Sequence, residues 1–100
     1  MADPSGNVGK NTYMSYDVYL NMRRSVQYYN LGLKDQAAGL IPSAAQNFFM
    51  ALGLNPYDVD SKAALNYMTN ATPPTLTADI CTQAKTDANA ALKKCGFCRR

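Results

Sequence analysis

The sequence predicts an all-α protein, a small irregular four-helix bundle with an extended N-terminal arm. Two observations predict it. From Ser15 to Leu40 the residues Val18, Met22, Val26, Tyr29, Leu33, Ala37 and Leu40 recur at spacings of three and four, the period of one helix face. Beyond Leu40, prolines, glycines and capping residues cut the chain into three further stretches with helical apolar spacing. A long helix with one apolar face cannot bury that face alone, so the later segments are expected to supply its partners.

Taken in order, residues 1–14 form the arm, punctuated by Pro4, Gly6 and Gly9 and lacking an apolar period. Residues 15–100 form a single helical domain, and a second domain is not expected in 100 residues. The first helix opens with Ser15 at the N-cap and Asp17 in the first turn, where a carboxylate meets the positive end of the helix dipole. Gly32 and Gly39 weaken its interior and predict a break or kink near Leu31 to Leu33. After Pro42, the run Ser43-Ala-Ala-Gln46 has the form of a capping box and places the second helix start at about Ser43. Ala45, Phe48, Phe49 and Leu52 give that helix its apolar face, and Gly53 stands where a left-handed stop is expected.

Asn55-Pro56 turns the chain, and Asp58 or Asp60 caps a short third helix from Ser61 to about Asn70, with Ala64, Leu65 and Met68 inward. Thr72-Pro73-Pro74-Thr75 is the clearest break. The last helix runs from Thr77, its N-cap, to Cys95, with Ile80, Ala84, Ala88, Ala91 and Cys95 on one face and Leu92 beside them. Small residues on that face allow close approach to a neighbour. Lys93 and Lys94 complement the negative end of the dipole before Gly96.

Composition narrows the chemistry. With 47% hydrophobic residues the chain can fill a core. All seven acids are Asp, and there is no His, which removes the commonest general base and the commonest metal ligand together. The net charge of +3 is concentrated at the end, in Lys93, Lys94, Arg99 and Arg100, and cations there suit the last turn of a helix rather than a nucleic-acid face. No nucleic-acid partner is expected. No run approaches the roughly 20 apolar residues of a membrane span, and the first dozen residues lack the apolar core of a secretory leader.

Three cysteines are present. Cys81 and Cys95 on one helix stand roughly 21 Å apart at 1.5 Å per residue, too far to bridge. Cys95-Gly96-Phe97-Cys98 has the C-x-x-C form, but it follows a helix C-terminus, where the dipole does not lower a thiol pKa. A zinc site lacks ligands with three Cys and no His. A disulfide between Cys95 and Cys98 is the preferred expectation, with free thiols the alternative. There is no Gly-rich phosphate loop, no paired carboxylates on one helix face and no His-based nucleophile. No enzyme, metal or cofactor is expected.

What remains is interaction. Tyr13, Tyr16 and Tyr19, with Arg23 and Arg24, gather around the start of the first helix, and Tyr and Arg are enriched at protein interfaces. These five are the candidate partner-binding residues. The run Pro73-Pro74-Thr75 ahead of a closing helix that ends Asn89-Ala-Ala-Leu-Lys-Lys-Cys-Gly96, with a polar arm and no His chemistry, resembles the PsbQ-type extrinsic subunits of photosystems. That resemblance implies a helical bundle with a cleaved leader, lying in the thylakoid lumen as a peripheral accessory subunit. It carries over no binding residue, and the cysteines are not part of that family's pattern. The expectation is a non-catalytic subunit docking on a larger complex through its arm and first helix; the alternative is a secreted, disulfide-stapled binding or effector domain.

Overall fold

The second helix, not the first, organises the molecule. The computed structural model describes residues 16–94, which fold as α1 (Tyr16–Ala37), α2 (Ile41–Leu54), α3 (Val59–Thr69) and α4 (Ala78–Lys94), with no strand among the described residues. α1, α3 and α4 each pack on α2. The reason lies in the composition of α2: Ala44, Ala45, Phe48, Met50, Ala51 and Leu54 are buried on several of its sides, and only Pro42, Ser43 and Gly53 are exposed. Such a helix is stable only with neighbours around most of its circumference.

Two connected apolar clusters result. In one, Ala44, Ala45 and Phe48 meet Leu65 and Met68 of α3, Leu76 of the following loop and Ala84 of α4. In the other, Met50 and Leu54 meet Ala88 and Leu92 of α4. Phe49 touches both. Leu76 is a core residue drawn from the stretch after the Pro-Pro break, held there by the Thr75 and Leu76 amides, which donate to the Met68 carbonyl at 3.0 and 3.2 Å.

α1 departs most from expectation. Its apolar stripe does not face the core: Val18, Met22, Val26, Leu33 and Leu40 are all exposed, and only Tyr29, packed on the Phe48 ring at 5.9 Å between centroids, is partly buried. The face turned to α2 instead carries Asn21, Ser25 and Gly32, about 90° around the helix from the stripe. The physical reason is that α2 is already apolar and what it takes from α1 is closeness. The Ser25 hydroxyl lies 3.0 Å from the Ala51 carbonyl, and a Cβ at Gly32 would stand 2.5–2.9 Å from three atoms of the Phe48 ring.

Gly32 therefore does not break the helix, as its low propensity suggested; it admits Phe48. Gly32→Ala, which raises helix propensity by about 1 kcal/mol, is expected to lower stability by up to about 2 kcal/mol net, because a methyl forced into a filled core costs about 1–3 kcal/mol. Urea denaturation checks this, and a midpoint above the parent's refutes it.

The helix ends differ in detail from the sequence expectations. α1 stops at Ala37 because Gly39 takes φ +80°, with the Leu40 N–H reaching back to the Asp35 carbonyl at 2.9 Å and the Gly39 N–H to Gln36 at 3.1 Å. The capping box at Ser43 does not form. Pro42 sits in the first turn of α2, where a missing N–H costs nothing, so the helix begins at Ile41 and Ser43 lies inside it. The Ser43 hydroxyl donates to Asp35 at 2.6 Å, and Asn47 Nδ2 donates to the same oxygen at 2.9 Å, which latches α2 to α1. Gly53 is not a left-handed stop either: α2 continues to Leu54, and Gly53 leaves room for Leu92 Cδ1 of α4.

Asp58 caps α3 as expected, though the helix starts at Val59 rather than Ser61. Its Oδ1 accepts from the Ser61 N–H at 3.2 Å, and its Oδ2 accepts from the Ser61 hydroxyl at 2.7 Å. The same Oδ2 lies 3.2 Å from the Ser25 hydroxyl, so one carboxylate joins α1 to α3. Thr77 caps α4 through its Oγ1, which accepts from the Ile80 N–H at 3.4 Å. Ala84, Ala88 and Leu92 form the buried face of α4, with Ile80 and Ala91 at its margins, in line with the small-residue stripe.

Candidate interaction surfaces

The face that α1 leaves uncovered is the most distinctive surface of the molecule. Val18, Met22 and Val26, one turn apart, are 44%, 40% and 58% exposed. Fully burying one such side chain is worth about 1.5–3 kcal/mol, so covering the exposed part of this row is favourable. Beside the row, Arg23 lies over Tyr19, with its guanidinium carbon 5.8 Å from the ring centroid and Nη1 donating to the hydroxyl at 3.1 Å. The contact restrains both side chains relative to each other on the surface.

The row continues across the α2–α3 turn. A shallow concavity of about 400 Å³ lies between α1 and that turn, lined by Val26, Tyr29, Tyr57 and Val59 together with Asp58 and Asp60. Tyr57 and Val59 are 86% and 69% exposed. They were not among the residues singled out from sequence; two large side chains interleaved with Asp58 and Asp60 immediately after Asn55-Pro56 were the available signal, since a turn displays what it carries.

The five candidate partner-binding residues separate. Tyr19 and Arg23 are exposed and paired as described, while Arg24 is partly buried toward the interior. Tyr16 opens α1, and Tyr13 lies outside the described residues, as does the whole arm. Cys95 and Cys98 also lie outside them, and Cys81 is a free, partly buried thiol on α4.

The polar groups that do converge are structural in arrangement. Asp58, Ser25 and Ser61 form a hydroxyl–carboxylate cluster that ties α1 to α3, and Asp35 is engaged by Ser43 and Asn47. Asn21 Oδ1 is buried on the α1 face without a hydrogen-bond partner. Among the described residues no three His, Cys, Asp or Glu side chains come close enough to hold a metal ion. None of the described helices is long and apolar enough to cross a membrane. Comparison with protein-family models, curated proteins and solved structures finds no match to this chain.

Proposed function

We propose that this chain is a non-catalytic accessory subunit that docks on a larger protein assembly through α1. The observation that carries the proposal is the exposed row Val18, Met22 and Val26 on a helix whose adjacent side, about 90° around, is already committed to α2. A helix presenting apolar residues one turn apart is the form in which one protein offers an anchor to a groove on another. The Tyr19–Arg23 pair flanks the row with the residue types that dominate interface energetics. Residues 1–14, which precede this helix in the sequence, are the second segment expected to touch the partner. The resemblance to PsbQ-type subunits makes a photosystem the specific assembly to test.

The test is native separation of complexes from cells expressing the tagged chain. The parent is expected to migrate with a large assembly. The variant Met22→Asp/Val26→Asp, which places charge on an already exposed face, is expected to retain parental circular dichroism and to migrate as the free chain. Deleting residues 1–14 is expected to weaken co-migration as well. A parent chain that migrates alone, or a doubly charged variant that still joins the assembly at full strength, overturns the proposal.

A further inference from the structure

α3 and α4 both pack on α2, and their backbones approach each other little, although their side chains share the cluster around Phe48. The gap between them is a groove open to solvent, and its floor is the side of α2 that neither helix covers. Its central part, about 410 Å³, has Phe49, Leu52 and Pro56 as an apolar floor, with Lys62 rising from α3 and Lys85 from α4. Toward one end it shares Phe49 and Lys62 with a hollow that reaches Cys81. Toward the other it shares Gly53 and Asn89 with one that reaches Lys93. From Cys81 to Lys93 the groove follows about 18 Å of helix α4.

Charge is segregated around it. Among the described residues that line these three hollows there are three lysines and no carboxylate. Asp58 and Asp60 line the concavity on the α1 side, and Asp87 lines a separate hollow between α2 and α4. Neither Lys62 nor Lys85 has an ion-pair partner among the described residues. An apolar floor between two uncompensated ammonium groups selects an occupant with an apolar underside and carboxylates along both flanks.

We infer that this groove binds an acidic amphipathic helix of about three turns from a partner protein. A helix is favoured over a single-chain lipid because the groove is open along its length: a hydrocarbon tail laid in it would keep one side in water, whereas an amphipathic helix turns its polar side outward. The carboxylates of such a helix reach Lys62 on one rim and Lys85 on the other, which fixes its register and rejects basic helices of the same shape. This surface lies on a different side of α2 from the α1 row, and the inference does not rest on the docking proposed for α1.

The experiment uses the full chain and three probes: a fluorescein-labelled 14-residue helix with leucines at positions i, i+4, i+7 and i+11 flanked by glutamates, the same helix with lysines for glutamates, and laurate. Anisotropy is expected to show saturable binding of the glutamate helix alone, and amide shifts in two-dimensional NMR are expected at Phe49, Leu52, Lys62 and Lys85 but not at Val18, Met22 and Val26. Lys62→Glu/Lys85→Glu, with its fold verified by circular dichroism, is expected to weaken the glutamate helix roughly tenfold and to gain affinity for the lysine helix. Equal binding of both helices, shifts confined to α1, or laurate occupying the groove while the glutamate helix does not bind, each overturns the inference.

Discussion

Replacing Phe48 by Ala is expected to cost about 3–5 kcal/mol, the range for truncating a fully buried aromatic side chain. Phe48 has no exposed surface and sits where the cluster from α2, α3, α4 and the Leu76 loop meets α1. On the α1 side its ring packs on Tyr29 at an interplanar angle of 47° and fills the space that Gly32 leaves open. Collapse of the cavity is opposed from both directions, because α1 is latched to α2 through Asp35 and α3 is tied to α1 through Asp58. A chain of this size has about 5–15 kcal/mol of stability in total, so the variant stands near the threshold of folding. Guanidinium denaturation is the measurement. A loss below about 1 kcal/mol, well under the range for buried aromatics, would show that the ring is not the packing centre described above.

The second large effect is expected at Asp58. Asp58→Ala removes the N-cap of α3, worth about 1 kcal/mol, and also leaves the fully buried Ser61 hydroxyl without its acceptor, worth about 1–3 kcal/mol. The total expected loss is about 2–4 kcal/mol. The Ser25 hydroxyl is spared because the Ala51 carbonyl at 3.0 Å still accepts from it. A double-mutant cycle separates the two contributions. Ser61→Ala removes the group that Asp58→Ala orphans, so the double variant is expected to lose less than the sum of the single losses by about 1 kcal/mol. Strict additivity would mean that the carboxylate acts as a cap and nothing more.

How far the fold could be read from sequence depended on which physical signal decided each feature. Local chemistry was legible. Asp58 and Thr77 cap the helices they were expected to cap, and Leu65, Met68, Ala84 and Ala88 face inward as their spacing requires. Signals with more than one meaning were not resolved by sequence alone. Gly32, Gly39 and Gly53 look alike in a helical stretch, yet one admits a ring, one takes a left-handed turn and one makes room for Leu92. Ser43 is equally suited to cap a helix or to reach a neighbouring carboxylate, and Pro42 decided between them by beginning the helix two residues earlier.

The orientation of α1 was the largest misreading, and it bears directly on the candidate surface. Periodicity locates an apolar face but does not say whether the chain itself or another molecule covers it. Here α2 supplies the apolar bulk, and α1 meets it with Asn21, Ser25 and Gly32. The stripe expected to be core is thereby displayed on the surface. Tyr19 and Arg23, singled out from sequence, lie beside that stripe, and Tyr57 and Val59 belong to a turn that only the fold brings alongside Val26.

The central position of α2 also has a kinetic meaning. α2 lies between α1 and α3 in sequence as well as in space, so two of its three packing partners are reached across a short turn. Only α4 must return from beyond α3. A chain whose contacts are mostly between sequence neighbours closes few long loops on its way to the native state, and helical proteins of this kind fold on the order of microseconds to milliseconds. The α1–α2 hairpin, with its Gly39 stop and Asp35 latch, can form before α4 has been synthesised. The docking of α4 on α2 is then the step that closes the longest loop and completes both apolar clusters.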